Sequence, residues 1–237
     1  MQVAYTLSKT VDDGSGVTST GDNFVQSQRG EYTWDMKLKR GLASFDVRHS
    51  FTTNFSYEIP RLSSLNGWTG VVVNGWQLNG ILQMSSGYPF SIEEFRTAQQ
   101  NAIGNRDNLR PNLIPGGNSN PIRKGNPDAY VDASQFVLAP VGMFGNLGRN
   151  TVISPGLVDF DGSLFKNFSL TENHKMQFRA EFFNLFNRPN FGAPVQSGGI
   201  NNALLVNSDG TPNANFGQIS YTRTPARQVQ LALRYTF

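Results

Sequence analysis

Hydrophobic and polar residues alternate along several segments of this chain, and the last segment shows the pattern most clearly. From Gln228 to Phe237, alternate positions are mostly apolar, and the chain ends on an aromatic residue. Because successive side chains of a β-strand point to opposite faces, this pattern predicts a strand with one apolar and one polar face. About ten alternating residues is also the length of a strand that crosses a bilayer with one face in lipid.

Five further segments alternate in the same way, so about six strands are expected. The second is the longest, because its alternation covers about fifteen residues and exceeds the usual length of a globular strand. Pro60 ends it, since proline cannot donate to a strand ladder. The five strands predicted before the terminal one are Val3–Leu7, Phe45–Ile59, Trp76–Ser85, Val158–Leu164 and Lys175–Phe182. In the last of these, Phe178, Phe182 and Phe186 also have helical spacing, which leaves a short amphipathic helix as an alternative.

The predicted connections between strands alternate between long and short. The long ones are Ser8–Ala43, Ser86–Pro155 and Asn187–Ala226, of which the second is expected to be unstructured, and a tight turn is expected at Leu170–Asn173. Antiparallel strands with this alternation place all long loops at one end, as in outer-membrane barrels. The expected fold is therefore all-β, an antiparallel transmembrane β-barrel segment. It is an up-and-down meander forming a partial barrel, with long extracellular loops and a periplasmic C-terminus.

Composition agrees with this fold and excludes several functions. Among 237 residues there are 24 glycines, 12 prolines and no cysteine, which favours strands joined by turns and excludes a disulfide framework. No apolar run approaches the roughly 18 residues of a membrane-spanning helix. The net charge is +3, but basic residues are scattered and Lys37, Lys39 and Arg40 form the only local cluster. We therefore expect no nucleic-acid partner.

Residues with catalytic or metal-binding chemistry are few and do not form a recognisable site. Glu93 and Glu94 are adjacent in a predicted loop and are expected to be solvated charges. His49 and His174 are the only histidines, and neither has the spacing of a metal ligand. Charged side chains on the polar face are expected to pair in a barrel lumen (Asp159, Asp161, Arg179 and Glu181). The sequence thus predicts no catalytic residue, no metal, no cofactor and no enzyme activity.

Aromatic residues near the ends of the predicted strands suggest a membrane interface. Tyr57, Trp76, Tyr235 and Phe237 all fall at the end that the topology places in the periplasm, where amphipathic rings favour headgroup depth. The alternative is that they are ordinary strand aromatics packed in a core.

Five segments of the chain resemble the C-terminal barrel of TonB-dependent outer-membrane transporters, and of their Oar-like group in particular. They are FDVRHSFTTNFSYEIP (45–60), GWQLNGILQMSSGYPF (75–90), FGNLGRN (144–150), FRAEFFNLFNRPNFG (178–192) and RQVQLALRYTF (227–237). The resemblance implies a barrel of about 22 strands in the outer membrane of a Gram-negative-type bacterium. It also implies energy-coupled uptake of an unidentified ligand.

The resemblance further implies a set of partners and a terminal signal. The partners would be outer-membrane lipid and lipopolysaccharide, the barrel-assembly machinery, the transported ligand, and the TonB complex acting on an N-terminal plug. An assembly signal would be formed by Leu231, Leu233, Tyr235 and Phe237. Because no plug or signal peptide is recognisable, residues 1–237 are expected to be the C-terminal part of a longer receptor. A soluble β-sandwich that binds carbohydrate or protein is the alternative.

Overall fold

The computed structural model describes residues 1–14, 36–65, 67–104, 109–169, 171, 174–196 and 200–237. Six long strands form one antiparallel sheet in which each strand pairs with the next one along the chain. The strands are β1 (Gln2–Leu7), β2 (His49–Glu58), β3 (Trp76–Ser85), β4 (Leu157–Ser169), β5 (Lys175–Phe183) and β6 (Gln228–Thr236). This arrangement confirms the predicted all-β, up-and-down meander, with β1 and β6 at the edges of the sheet.

The remaining elements are short and mostly lie in the three long connections. Two-residue strand pairs join Val11–Asp12 to Gly41–Leu42, Pro89–Phe90 to Val152–Ile153, Asn112–Leu113 to Phe136–Val137, and Val195–Gln196 to Ile200–Asn201. The helices are α1 (Met36–Lys39), α2 (Gly67–Val73) and α3 (Thr97–Ile103), and 3₁₀ turns occupy Pro127–Ala129 and Ala133–Gln135. The short connection between β2 and β3 contains one element among its described residues, helix α2.

The predicted start of the second strand is wrong. The alternation at Phe45 and Val47 predicted a strand of about fifteen residues, but β2 has ten and begins at His49. The reason is a turn in which the backbone N–H of Asp46 donates to the carbonyl of Ala43. The buried Asp46 carboxylate then accepts the Thr10 N–H at 2.5 Å. This hydrogen bond holds residues 44–48 outside the sheet.

The fifth predicted strand is a strand and not a helix. Strand β5 pairs along its length with β4 on one side and β6 on the other, so its backbone groups are used in two ladders. The strand ends at Phe183, and Phe186 lies beyond it with its ring stacked 5.5 Å from that of Phe160.

The connections alternate in length as predicted. The ends of the strands that carry residues 8–48, 86–156 and 184–227 all lie together, because every neighbouring pair is antiparallel. We call this end the long-loop end and the other the short-loop end. Three of the four residues of the predicted tight turn at Leu170–Asn173, namely 170, 172 and 173, lie outside the described residues. Most of the first long connection lies outside them as well.

The packed core of the described residues lies in the long connections and not in the sheet. The predicted unstructured stretch Ser86–Pro155 supplies most of its buried side chains, so that prediction is wrong. The core consists of Phe90, Ile92, Tyr130, Val131, Phe136, Leu147, Val152, Ala193, Val195, Ala203 and Ile219. We call the assembly formed by the described residues of 86–156 and 187–226 the loop unit.

Candidate functional site

The sheet has one apolar face, formed by side chains that lie directly opposite each other on neighbouring strands. Across the sheet, Phe51 pairs with Met84, Leu78 with Leu164, and Phe178 with Leu233. Several of these side chains are open to the surroundings, since Leu231 and Leu233 are 65% and 66% exposed. An exposed apolar surface of this width is characteristic of a membrane or protein interface.

The opposite face of the sheet is polar and its side chains hydrogen-bond to each other. The Asn79 amide donates to the Ser163 hydroxyl at 3.2 Å, and the Gln177 amide donates to Asn167 Oδ1 at 2.7 Å. Such side-chain pairs stabilise neighbouring strands and leave a surface that water can wet. The two faces therefore have the polarity that a barrel wall needs between lipid and a lumen.

The predicted charge pairing on this polar face does not form. The register places Arg179 opposite Phe165 and Glu181 opposite Ser163. The Arg179 guanidinium accordingly lies 4.8 Å from the centre of the Phe165 ring, a cation–π contact. Asp161 instead accepts the backbone N–H of Asn184 at 2.9 Å, which fixes the chain where it leaves β5.

The four predicted interface aromatics lie together at the short-loop end. Tyr57, Tyr235 and Phe237 are 56%, 51% and 89% exposed, which disagrees with a packed core around these three rings. Trp76 is partly buried, and its indole N–H donates to the Val72 carbonyl at 2.9 Å. The Tyr235 hydroxyl hydrogen-bonds with His174 at 2.5 Å. Their placement at headgroup depth stays a prediction.

The C-terminal strand presents three residues of the expected assembly signal on one face, and Phe237 follows its last residue. Leu231 and Leu233 pair with Ala180 and Phe178 of β5, and Tyr235 pairs with Met176. The ring of Tyr235 stacks 6.0 Å from that of Phe237. The outer edge of β6 carries no partner strand within the described sheet, so its backbone groups are open to pairing.

The loop unit lies at the long-loop end and is held by contacts between two connections distant in sequence. The Tyr130 N–H donates to the Gly217 carbonyl at 3.0 Å, and the Phe136 and Phe216 rings meet edge to face. The Arg223 guanidinium lies 4.6 Å from the centre of the Tyr88 ring and donates to its hydroxyl. These contacts make one folded body from segments that carry few regular elements.

Glu93 and Glu94 belong to this body, and the prediction that they are solvated charges is wrong. They are 4% and 0% exposed. The Glu94 carboxylate pairs with Arg96 at 3.0 Å and accepts the Ala139 N–H at 3.2 Å. Burial raises the pKa of the Glu94 carboxyl, while the hydrogen bond and the charge of Arg96 oppose the shift. Because the carboxylate is committed to neighbouring loops, its role is structural.

A cavity of about 670 Å³ opens within the loop unit, and its lining includes Ser86 and Gly156, which adjoin the ends of β3 and β4. Its walls include apolar and aromatic side chains, two cations and several glycines and prolines. The main lining residues are Ile122, Lys124, Tyr130, Arg188, Phe191 and Ile219. A volume of this size accommodates a small-molecule ligand.

Tyr130 is one of the side chains that line this cavity. Its hydroxyl donates to the Ile153 carbonyl at 2.8 Å, and burial raises the pKa of the phenol to about 12. The side chain is neutral at physiological pH, and within the loop unit it ties the segment around residue 130 to the strand pair of Pro89–Phe90 and Val152–Ile153.

One buried charged residue of the sheet was missed by sequence reasoning. Lys166 stands at an apolar position of β4 between Leu164 and Phe168, and it is only 3% exposed. The signal was present in the alternation, because a lysine on a lipid-facing position requires a specific partner. That partner is helix α2, whose Val71 carbonyl accepts a hydrogen bond from the Lys166 ammonium group.

The part of the chain that the structure describes contains neither a metal-binding cluster nor a helical membrane span. There, no group of three or more His, Cys, Asp or Glu side chains is placed to hold a metal ion. His49 instead hydrogen-bonds with the Tyr5 hydroxyl at 2.8 Å. No helix among these residues has both the length and the apolar character needed to cross a membrane.

Residues 1–230 match the family described as the outer membrane beta barrel domain. The match covers nearly the whole chain, and the chain therefore belongs to this family. It is an outer-membrane protein of a Gram-negative bacterium, and the soluble β-sandwich alternative is not favoured. No curated protein and no solved structure matches the chain.

Proposed function

We propose that this chain is the C-terminal wall of a TonB-dependent receptor barrel, which takes up an unidentified ligand across the outer membrane. The observation that carries the proposal is the loop unit, a folded body with a cavity of about 670 Å³ at the long-loop end of a lipid-facing sheet. The five segments that resemble Oar-like receptors support the same class. The proposal assigns no chemical step to any residue of the chain.

The open sheet supports a wall that needs further strands. Six strands with free edges at β1 and β6 leave backbone N–H and C=O groups without partners at both sides of the sheet. Such groups are costly in the hydrocarbon region, where only a closed barrel satisfies them. In this proposal additional strands close the barrel, and a plug fills the lumen and contacts the TonB complex.

The loop cavity is the proposed point of ligand contact from outside the cell. Lys124 and Arg188 are exposed cations at its rim, while Tyr130 and Phe191 supply apolar walls. Pockets of this kind orient a ligand with a few polar groups on an apolar lining. The apolar face of the sheet would contact outer-membrane lipid, including lipopolysaccharide.

The C-terminal strand is proposed to guide assembly of the barrel. Leu231, Leu233 and Tyr235 lie on the apolar face of an edge strand and Phe237 follows its last residue, and strand addition at an open edge is a general mode of peptide recognition. The partner in this step would be the barrel-assembly machinery.

Binding to TonB tests the proposed class directly. The native gene product would be purified from outer membranes in detergent and titrated with the periplasmic domain of TonB from the same bacterium. A porin from the same membranes serves as the control. Saturable binding that the porin lacks supports the proposal. Binding no stronger than that of the porin would contradict TonB coupling and leave the barrel assignment intact.

A further inference from the structure

Helix α2 carries an exposed apolar surface at the short-loop end of the barrel wall. Trp68, Val71 and Val72 are 78%, 55% and 53% exposed. Their spacing of three and four residues places them on one side of the helix. The helix contains no charged residue. In water this surface would be unfavourable, so it points to an apolar partner.

The C-terminal end of α2 is held against the apolar face of the sheet. Lys166 lies on that face, opposite Trp76 of β3. Its ammonium group donates to the carbonyl oxygens of Val71, at 2.5 Å, and Asn74. The same ammonium lies 5.3 Å from the centre of the Trp76 ring. A cation at the C-terminal end of a helix also has a favourable interaction with the helix dipole.

These contacts account for a lysine at an otherwise lipid-facing position. An unpaired ammonium group there would be costly in the hydrocarbon region. Helix carbonyls and aromatic rings surround Lys166, which is 3% exposed. The helix must therefore lie on the outer, lipid side of the wall and not beneath the lumen.

The connection around α2 is also internally fixed. The Leu62 N–H donates to Asn74 Oδ1 at 2.7 Å, and the Asn74 amide donates back to the Leu62 carbonyl. Gly70 allows a close approach, because a Cβ at this position would lie 2.5 Å from the Leu65 carbonyl oxygen. The orientation of the apolar side of α2 is therefore set by the fold.

We propose that α2 inserts the side carrying Trp68, Val71 and Val72 into the periplasmic leaflet of the outer membrane, between phospholipid headgroups and acyl chains. Helix α2 adjoins the apolar face of the sheet, which the outer-membrane location places in lipid, so the apolar surface of the wall continues onto the helix. Tryptophan favours this depth, because its amphipathic ring sits at the level of the headgroups. Lys166 is the positioning residue that pins the helix to the wall.

Spin labels at single cysteines test the insertion, and the chain has no cysteine of its own. Val71→Cys probes the helix, and Leu233→Cys is the lipid-facing control. Val141→Cys is the control in the loop unit, and it is matched in exposure because Val71 and Val141 are 55% and 58% exposed. Each full-length variant would be reconstituted into vesicles of phosphatidylethanolamine and phosphatidylglycerol. Collision rates with molecular oxygen and with a polar nickel chelate are then measured.

The label at position 71 is expected to resemble the label at position 233. Its nickel-to-oxygen collision ratio should be roughly tenfold below that at position 141, because an apolar phase excludes a polar reagent by about that factor. A ratio equal to that at position 141 would mean that α2 lies in water. Low rates with both reagents would mean that protein covers the helix. Either result overturns the proposal.

Substitution of Lys166 tests the pinning role in the Val71→Cys background. Lys166→Met removes the bonds to the helix carbonyls, so the label should become more mobile. Lys166→Arg keeps a donor and a cation and should restore the immobile spectrum. Heat-modifiable migration on gels checks that each variant is folded. If the Lys166→Met variant folds and its spectrum is unchanged, Lys166 does not position α2. If the variant does not fold, the collision data at positions 71 and 141 still decide whether α2 inserts into the membrane.

Discussion

Replacing one apolar residue of β3 with arginine should destabilise the protein in a bilayer far more than the same change one residue later. Leu82 lies on the apolar face opposite Phe160, and Gln83 lies on the polar face opposite Asp159. The pair Leu82→Arg and Gln83→Arg thus adds the same charge at the same depth on opposite faces of the wall.

The expected magnitude follows from the position of Leu82 along the strand. A rise of about 3.4 Å per residue and a tilt of about 40° place it about 16 Å from the Trp76 end and about 8 Å from the Ser85 end. This is within about 4 Å of the middle of the strand. Arginine near the middle of a lipid face costs about 2–4 kcal/mol, which corresponds to roughly a 30- to 900-fold change in the folding equilibrium.

Reversible folding into phospholipid vesicles, titrated with denaturant, measures this difference. The full-length protein and both variants are compared by heat-modifiable migration, which separates folded from unfolded barrel. Gln83→Arg is expected to stay within about 1 kcal/mol of the parent, because its side chain faces the lumen. Equal losses for the two variants, or a larger loss for Gln83→Arg, would refute the assignment of the faces.

Three further predictions concern the terminal strand and the loop unit. Deleting Phe237 should lower the amount of protein assembled in the outer membrane, as measured by fractionation and immunoblotting, and unchanged assembly would count against its role. Glu94→Ala removes one partner of a buried ion pair and should destabilise the loop unit by about 3 kcal/mol. Glu58 is exposed, so the control Glu58→Ala should change the stability of the loop unit little. Hydrogen exchange at the Ala139 amide measures the difference between the two variants. Burial raises the pKa of Tyr130 from 10.0 to about 12, so the stabilising contribution of its neutral phenol is complete below pH 10 and is lost as the pH rises through 12. An ultraviolet titration of the wild-type protein should show this late ionisation, and a titration of Tyr130→Phe should lack it. If the late ionisation persists in Tyr130→Phe, it belongs to another tyrosine.

The sheet could be predicted from the sequence because its signal is local. Alternation with a period of two identifies a strand without knowledge of its neighbours, and it placed Gln228–Phe237 within one residue of β6. The same rule failed at Phe45 and Val47, where the pattern continues but the chain turns. There a long-range hydrogen bond from Thr10 to Asp46 overrides the local preference.

The loop unit could not be predicted, because its signal is not local. Phe90, Ile92 and Val152 are fully buried, yet they stand in a segment rich in asparagine, proline and glycine, without periodicity. Their burial depends on contacts with the connection between β5 and β6. The burial of Glu94 follows from the same packing, since Arg96 and the Ala139 amide satisfy its carboxylate.

Helix α2 was missed for a different reason. Seven residues are too few for an amphipathic pattern to be distinguished from a strand, and Val71–Val73 favours strands by propensity. The stabilising contacts come from Lys166 and Trp76, which lie in strands β4 and β3.

The central claim is that this chain forms part of an outer-membrane wall with its long loops outside the cell. Labelling of single cysteines with a membrane-impermeant maleimide tests this claim in intact cells. Val141→Cys lies in the loop unit, and Thr171→Cys lies in the connection between β4 and β5. Position 141 should be labelled in intact cells, and position 171 only after the outer membrane is permeabilised. Labelling of position 171 in intact cells, with position 141 protected, would contradict the account.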